Sequence, residues 1–166
     1  MLCKWIIRIS LVFLVSGLLF QACYPPDDFP PKPEIEFKKF EKADNNKAYL
    51  TISFTDGDGN IGLKEGDTTG KFSPGNRYHH NLFLEYYEKQ NGDWVHRDLD
   101  PPFYYRIPPL EPKGKSKALK GDIRVELEPT YFDPGSSYDT IKYSIQLADR
   151  DLNESNIVET DPIVTP

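Results

Sequence analysis

The stretch FTDGDGNIGL, residues 54–63, holds the side chains of this chain whose types and spacing could bind a metal ion. Asp56, Asp58 and Asn60 stand at every second position, and the glycines around them permit a tight backbone. Ca²⁺ takes six to eight oxygen ligands from carboxylates, amides, backbone carbonyls and water. Three such side chains, curled around one point, could therefore supply part of a calcium site.

Comparison with known loop geometry leaves two interpretations open. As an EF-hand the stretch fails, because Ile61 stands where the sharp turn needs glycine and Asp67 stands where a bidentate glutamate is needed. Asp-Gly and Gly-Asn pairs are also common turn material at the end of a strand. A calcium loop and a plain turn both fit the local sequence.

The elements that position this stretch are strands, because apolar residues recur with period two from residue 34 onward. Alternating segments lie at residues 35–37, 48–55, 82–86, 123–127 and 141–147. Asn91-Gly92 predicts a hairpin turn, and prolines place an aromatic run at 103–107 and a last strand at 157–164 at sheet edges. Seven or eight short strands predict an all-β fold, an immunoglobulin-like antiparallel β-sandwich.

This topology predicts a second polar loop beside the first. If residues 48–55 form strand B and 141–148 form strand F, then DGDGN begins the B–C loop and DRDLNESN, 149–156, is the F–G loop. The two loops lie at one end of an immunoglobulin-like sandwich. The predicted calcium ligands are Asp56, Asp58, Asn60, Asp149, Asp151 and Asn153, with Asn156 nearby.

The alternative for these acids needs no metal. Carboxylates so close repel one another unless a cation or hydrogen bonds offset their charge. Arg150 and backbone N–H groups could provide that compensation, with the aspartates capping turns.

The N-terminus has the pattern of a secretory signal. Lys4 and Arg8 precede an apolar run at residues 9–20, which is too short to span a bilayer. The following LFQAC resembles a lipobox, with Phe20 where leucine is usual. The resemblance implies a signal peptide at 1–22 and a lipid anchor on Cys23, which would attach the protein to a membrane.

Five prolines between residues 25 and 33 predict that 23–33 is a stiff, extended tether to a domain at 34–166. With Cys3 removed and Cys23 acylated, the sequence predicts no disulfide. Asp27 and Asp28 resemble the acidic signal that directs some Bacteroidota lipoproteins to the outer face of the outer membrane. We therefore expect an outer-membrane lipoprotein facing the cell exterior, with the periplasmic face as the alternative.

Two further resemblances concern the domain. Residues 132–156 resemble the E–F corner, strand F and F–G loop of fibronectin type III domains, with Pro134-Gly135 as the turn and Tyr138 as the corner tyrosine. That resemblance implies a bond from the Tyr138 hydroxyl to nearby backbone. The pairing of F-x-DGDGxIG with DRxxNxSN is similar to a group of small Bacteroidota-type cell-envelope lipoproteins of unassigned role.

Composition and motifs narrow the functional classes. A formal net charge of −6 disfavours nucleic acid as a partner. The sequence has no Gly-x-Ser-x-Gly elbow, and the adjacent pair His79-His80 would point to opposite faces of a strand. We therefore predict that the protein is not an enzyme.

Two binding hypotheses remain, and both allow a structural Ca²⁺ as the one cofactor. The first is protein–protein contact in envelope assembly or adhesion, which a flat apolar patch on the sheet of strands C and F would favour. The second is a glycan-binding accessory lipoprotein that stacks sugar rings on exposed aromatic residues, which a coplanar exposed pair would favour. The aromatic residues in question are Tyr86, Tyr87, Trp94, Phe103, Tyr104 and Tyr105, and a place in the core is their default.

Overall fold

The computed structural model describes residues 28–112 and 116–166 and shows two antiparallel sheets packed as a sandwich. The predicted signal peptide at 1–22 and the predicted lipid anchor Cys23 lie outside the described residues. The strands are β1 (Glu34–Lys42), β2 (Ala48–Asp56), β3 (Leu82–Gln90), β4 (Asp93–His96), β5 (Phe103–Tyr105), β6 (Leu119–Leu127), β7 (Thr140–Leu147), β8 (Val158–Glu159) and β9 (Ile163–Val164). Two 3₁₀ helices, Gly70–Phe72 and Arg77–His79, lie in the long connection between β2 and β3.

The sheets divide the strands as β1-β2-β6 and β4-β3-β7-β8, with β5 also on β3 and β9 also on β7. Within each sheet every pairing between these strands is antiparallel. This arrangement confirms the predicted immunoglobulin-like β-sandwich. β8 and β9 are two pieces of the single last strand predicted at 157–164, interrupted next to Pro162 as expected for a residue that cannot donate to a ladder.

The period-two pattern of the sequence becomes the core between the sheets. Alternate residues of β2 and β7 point inward, and the side chains that they bury include Leu50, Ile52, Tyr143 and Ile145. β6 adds Ile123, which is paired with Ile52 in the register of the first sheet. The alternation fixes the register, because a shift of one residue would turn each of these side chains to solvent.

The corner tyrosine is Tyr143, so the prediction that Tyr138 fills this role is wrong. The Tyr143 hydroxyl donates a hydrogen bond to the Tyr131 carbonyl oxygen, and burial raises the pKa of Tyr143 well above its usual value. Tyr138 precedes β7 and is half-buried, and its hydroxyl makes no hydrogen bond with the described residues. Tyr143 makes this hydrogen bond because its ring points inward from β7, and only a ring inside the sandwich places its hydroxyl beside the Tyr131 carbonyl.

β2 and β7 end at the same side of the sandwich. β3 starts there as well, since Leu82 pairs with Leu147, the last residue of β7. The loops 56–60 and 149–153 therefore share one end of the domain, which we call the loop pole. Within the part of the chain that the structure describes, no helix has the length and apolar character needed to cross a membrane.

Candidate functional site

The two predicted loops meet at the loop pole. The Arg150 backbone N–H donates to the Asn60 carbonyl oxygen at 3.4 Å, and the Asn60 amide nitrogen donates to Asp151 Oδ2 at 3.0 Å. One carboxylate oxygen each of Asp56, Asp58 and Asp149 lies within 4.8 Å of the other two. Sequence-distant acids thus converge on one point, as the strand assignment predicts.

The glycines of the first loop are needed because other backbone segments lie against them. A Cβ at Gly57 would stand 2.0 Å from the Phe29 carbonyl oxygen, and the Gly57 N–H donates to the Pro30 carbonyl oxygen at 2.8 Å. Gly59 has a φ of +70°, and a Cβ there would stand 1.9 Å from the Lys117 carbonyl oxygen. The loop is therefore packed between residues 29–30, which belong to the predicted tether, and Lys117 in the connection that leads into β6.

Asp56 is the innermost acid of the cluster. It is the last residue of β2, it is fully buried, and its Oδ2 accepts a hydrogen bond from the Asn60 backbone N–H at 2.9 Å. Its Oδ1 is buried and accepts no hydrogen bond from the described residues. Burial above all, and then the charge of Asp58, raises the pKa of Asp56 to about 6, although the Asn60 N–H acts in the opposite direction.

Asp58 and Asn60 are joined by a side-chain hydrogen bond. The Asn60 side-chain nitrogen donates to Asp58 Oδ2 at 3.3 Å as well as to Asp151. Asp58 Oδ1 and Asn60 Oδ1 are both buried atoms, and neither has a hydrogen-bond partner among the described residues. Together with Asp56 Oδ1 they form a set of three buried oxygens from alternate positions of one loop.

The second loop contributes Asp149, whose orientation is set by Asn153. Asp149 Oδ1 accepts the Asn153 backbone N–H at 2.8 Å, and Asp149 Oδ2 accepts the Asn153 side-chain nitrogen at 2.7 Å. Leu152, with a φ of +69°, makes the tight turn that brings Asn153 back onto Asp149. Asn153 therefore acts as a hydrogen-bond donor to a cluster member.

Of the six predicted ligands, Asp56, Asp58 and Asp149 are close enough to share an ion, and Asn60 contacts this group through its hydrogen bonds with Asp58 and Asp56. Asp151 is exposed and accepts the Asn60 amide, so it lies outside this inner set, as does Asn153. Asn156 does not join the cluster. Its side chain binds both backbone groups of Ile35, at 2.8 and 2.9 Å, and so fastens the stretch before β8 to β1.

The sequence pattern does not reveal the third segment at the pole. Asp67 Oδ2 lies 3.1 Å from Arg150 Nη2 and also accepts the Lys64 N–H at 2.9 Å. Arg106 holds this segment from the other side, donating to the carbonyl oxygens of Lys64 and Asp67 at 2.7 and 2.8 Å. Arg150, predicted as a partner for the clustered acids, thus has its ion pair with Asp67. Residues 64–67 are irregular, so no periodicity indicates this placement.

The candidate aromatic residues do not form the coplanar exposed pair that would favour a glycan, and Tyr87 and Trp94 are half-buried. Lys142 Nζ lies over the rings of both Tyr87 and Trp94, at 5.4 and 5.1 Å from their centroids, and Lys89 Nζ lies 5.8 Å from the Trp94 centroid. The Tyr87 ring is inclined at 59° to that of His96. Within the described ranges, lysine ammonium groups therefore lie over the rings of Tyr87 and Trp94, where a sugar would have to stack.

The outer face of β3 and β7 is polar rather than a flat apolar patch. Its half-buried positions hold Glu85 and Tyr87 on β3 and Lys142, Ser144 and Gln146 on β7. The feature that would have favoured protein contact through this sheet face is therefore missing from the described residues. A groove of about 730 Å³ lies instead on the other sheet, where Phe29 stands beside Ser53, Thr55 and Lys120.

The histidines also lack the geometry of a metal site. His79 Nδ1 lies 2.9 Å from the Phe72 carbonyl oxygen, and the His80 ring packs edge-on against Tyr104. Burial lowers the pKa of His80, as expected for a ring that is packed rather than solvated. Among the residues that the structure describes, Asp56, Asp58 and Asp149 form the one group of three acids, histidines or cysteines close enough to share an ion.

Fold and site together define an all-β domain of the immunoglobulin-like class with a buried cluster of acidic and amide oxygens between two loops. No protein-family model, curated protein or solved structure matches this chain.

Proposed function

We propose that this chain is a non-enzymatic, lipid-anchored envelope protein whose immunoglobulin-like domain acts as a binding or assembly module for a protein partner. The observation that carries the proposal is an apolar, open edge of the second sheet. Ile157 and Val164 are 61% and 58% exposed, and both lie along the edge formed by β8 and β9. Large apolar side chains at an unpaired edge are a typical contact surface for a partner strand or loop.

The form of this edge supports a partner other than a copy of the same strand. β8 and β9 have two residues each and are separated by the stretch that contains Pro162, so a long continuous ladder cannot extend from them. A partner would gain a few backbone hydrogen bonds and the two apolar side chains. Such a contact allows specific binding of a partner without edge-to-edge self-association of the domain.

The anchor belongs to the same proposal. The lipid on Cys23 would hold the protein in the outer membrane, facing the exterior, and the proline tether would carry the domain away from the bilayer. The contact of Phe29 and Pro30 with Gly57 supports a tether that ends at the loop pole. The loop pole would then face the membrane, while the open edge runs along the side of the domain.

A photo-crosslinking experiment tests the partner surface. A crosslinking amino acid at position 157 should capture a discrete envelope protein in intact cells, whereas the same amino acid at Glu65, exposed in the β2–β3 connection, should not. Equal capture patterns at the two positions would refute the edge as the contact. Labelling with a palmitate analogue should mark wild type and not Cys23→Ala, and label on the variant would refute the anchor.

The alternative, a glycan-binding accessory lipoprotein, is supported by the groove beside Phe29. Its lining combines the rings of Phe29 and Phe54 with acids, lysines and hydroxyls, among them Glu36, Lys38, Thr55 and Asp122. Hydroxyl-rich ligands are bound by such mixed polar sets together with an aromatic face. Retention of the wild-type protein on immobilised envelope polysaccharide, lost in Phe29→Ala and kept in Trp94→Ala, would favour this function over protein contact.

A further inference from the structure

We propose that the oxygen cluster of Asp56, Asp58, Asn60 and Asp149 is a Ca²⁺ site that joins the two loops of the loop pole. This inference goes beyond the proposed binding function, because it concerns a different face of the domain from the β8–β9 edge. It also reduces the six predicted ligands to four, with Asp151 and Asn153 holding those ligands in place.

The first argument is one oxygen without a hydrogen-bond partner on a fully buried carboxylate. Asp56 is 0% exposed, and its Oδ1 accepts no hydrogen bond from the described residues. An ionised carboxylate without compensation is costly to bury, so native proteins pair it with a cation, donate hydrogen bonds to it or leave it protonated. The Asn60 N–H reaches only Oδ2, which leaves Oδ1 for a cation.

The second argument is a buried amide oxygen on Asn60, a residue that contacts the cluster through Asp58. Asn60 Oδ1 is buried without a partner, while Asn60 Nδ2 is shared by the carboxylates of Asp58 and Asp151. Repulsion between acids does not account for an unpartnered amide oxygen. Carboxylate and amide oxygens side by side, with no nitrogen or sulfur ligand among them, are the donor set of a hard cation.

The third argument is size. Ligand oxygens at 2.3–2.6 Å from Ca²⁺ lie at most about 5 Å from one another. One carboxylate oxygen each of Asp56, Asp58 and Asp149 lies within 4.8 Å of the other two, which is within the spacing of ligands that share one ion. Mg²⁺ demands a near-ideal octahedron at about 2.1 Å and gives up water reluctantly, so a site built from the side chains of two loops suits the larger ion better.

No basic side chain of the described residues neutralises the three clustered acids, so a metal ion can supply the positive charge. Arg150, on the second loop, directs its guanidinium to Asp67 at 3.1 Å. Lys120, on β6, lies over the Phe29 ring at 5.9 Å. Neither forms an ion pair with Asp56, Asp58 or Asp149, since the ion pairs of the described residues join none of these three acids to a basic side chain.

Calorimetry on the purified full chain in detergent at pH 7.5 tests the site. CaCl₂ should bind with one ion per chain and a Kd at or below about 1 mM, the range of extracellular modules, and MgCl₂ should bind at least tenfold more weakly. Asp58→Asn should weaken Ca²⁺ binding at least tenfold. Asp93→Asn, the same substitution at an exposed carboxylate at the end of the domain opposite the loop pole, should weaken it less than threefold.

A second variant keeps the test decisive if Asp58→Asn fails to fold. Asn60→Ala removes the amide oxygen and retains the backbone N–H that binds Asp56, and it should weaken Ca²⁺ binding at least fivefold. Absence of Ca²⁺ binding to folded wild type at 10 mM would overturn the proposal. So would an effect of Asp93→Asn equal to those of Asp58→Asn and Asn60→Ala. Neither result bears on crosslinking at position 157, so the two proposals fail separately.

Discussion

Replacement of Gly57 by alanine should separate the tether from the loop pole. An alanine Cβ at this position would lie 2.0 Å from the Phe29 carbonyl oxygen and 2.8 Å from the Pro30 carbonyl oxygen. Contacts under 3.0 Å are essentially never observed for a Cβ, so the tether would have to withdraw by about 1 Å or more. That movement breaks the 2.8 Å hydrogen bond from the Gly57 N–H to Pro30.

The expected loss of stability follows from the broken contacts. A backbone hydrogen bond contributes about 0.5–1.5 kcal/mol net, and the contact of Lys120 with the Phe29 ring adds about 0.5 kcal/mol. Gly66→Ala is the matched control, because no atom lies within 4 Å of its Cβ position. Both substitutions restrict the unfolded chain equally, so Gly57→Ala should be less stable than Gly66→Ala by about 1–2 kcal/mol.

Thermal unfolding and hydrogen exchange measure the two parts of this prediction. For a domain of this size the difference corresponds to a Tm lower by about 3–8 °C in Gly57→Ala than in Gly66→Ala. The amide of residue 57 should also exchange at least tenfold faster, since its acceptor is gone. Equal melting temperatures within 1 °C, together with unchanged exchange at residue 57, would refute the reasoning.

Three other predictions concern the loop pole and the core. In EDTA, the raised pKa of Asp56, about 6 against an ordinary 3.8, means that the folded state binds the proton more tightly than the unfolded state. The free energy of unfolding should therefore fall by up to about 3 kcal/mol as pH rises from 4 to 6 and stay at the lower value above pH 6. Urea unfolding measures this, and the fall should be smaller in Asp56→Asn. Tyr143→Phe removes the hydroxyl bonded to the Tyr131 carbonyl and should cost about 1–2 kcal/mol in the same assay; no loss would mean that the carbonyl finds another donor. Asn156→Ala removes two hydrogen bonds to Ile35 and should cost about 2 kcal/mol, with a loss below 0.5 kcal/mol contradicting the role of Asn156 as a fastener of β1.

The strands could be predicted from sequence because a strand with one buried face has apolar residues at every second position. Leu50 and Ile52 on β2, and Tyr143 and Ile145 on β7, alternate with polar residues, and each strand appears where this alternation predicts it. Strand order then predicts that loops about 90 residues apart meet. That inference requires only the positions at which the strands end, and the same alternation indicates them.

Side-chain roles inside the loops could not be predicted, because they depend on single backbone angles. Asn153 turns back to Asp149 since Leu152 adopts a φ of +69°, and nothing in the spacing of polar residues indicates that angle. Asp67 reaches Arg150 from a segment without regular structure. Phe83 points outward on β3 and is still buried, because Arg77 stacks on its ring and Tyr78 packs against it from the connection above.

The lysine-covered tryptophan gives the domain a built-in optical reporter. Trp94 is the single tryptophan of the described residues, and it lies on β4, just after the hairpin turn at the end of the sandwich opposite the loop pole. A change in its emission when Ca²⁺ is added cannot come from contact with the ion. Any such change would report a rearrangement transmitted along β3 and β7. Unchanged emission with a higher Tm would show that ion binding alters the structure only locally, although cooperative unfolding lets it stabilise the whole domain.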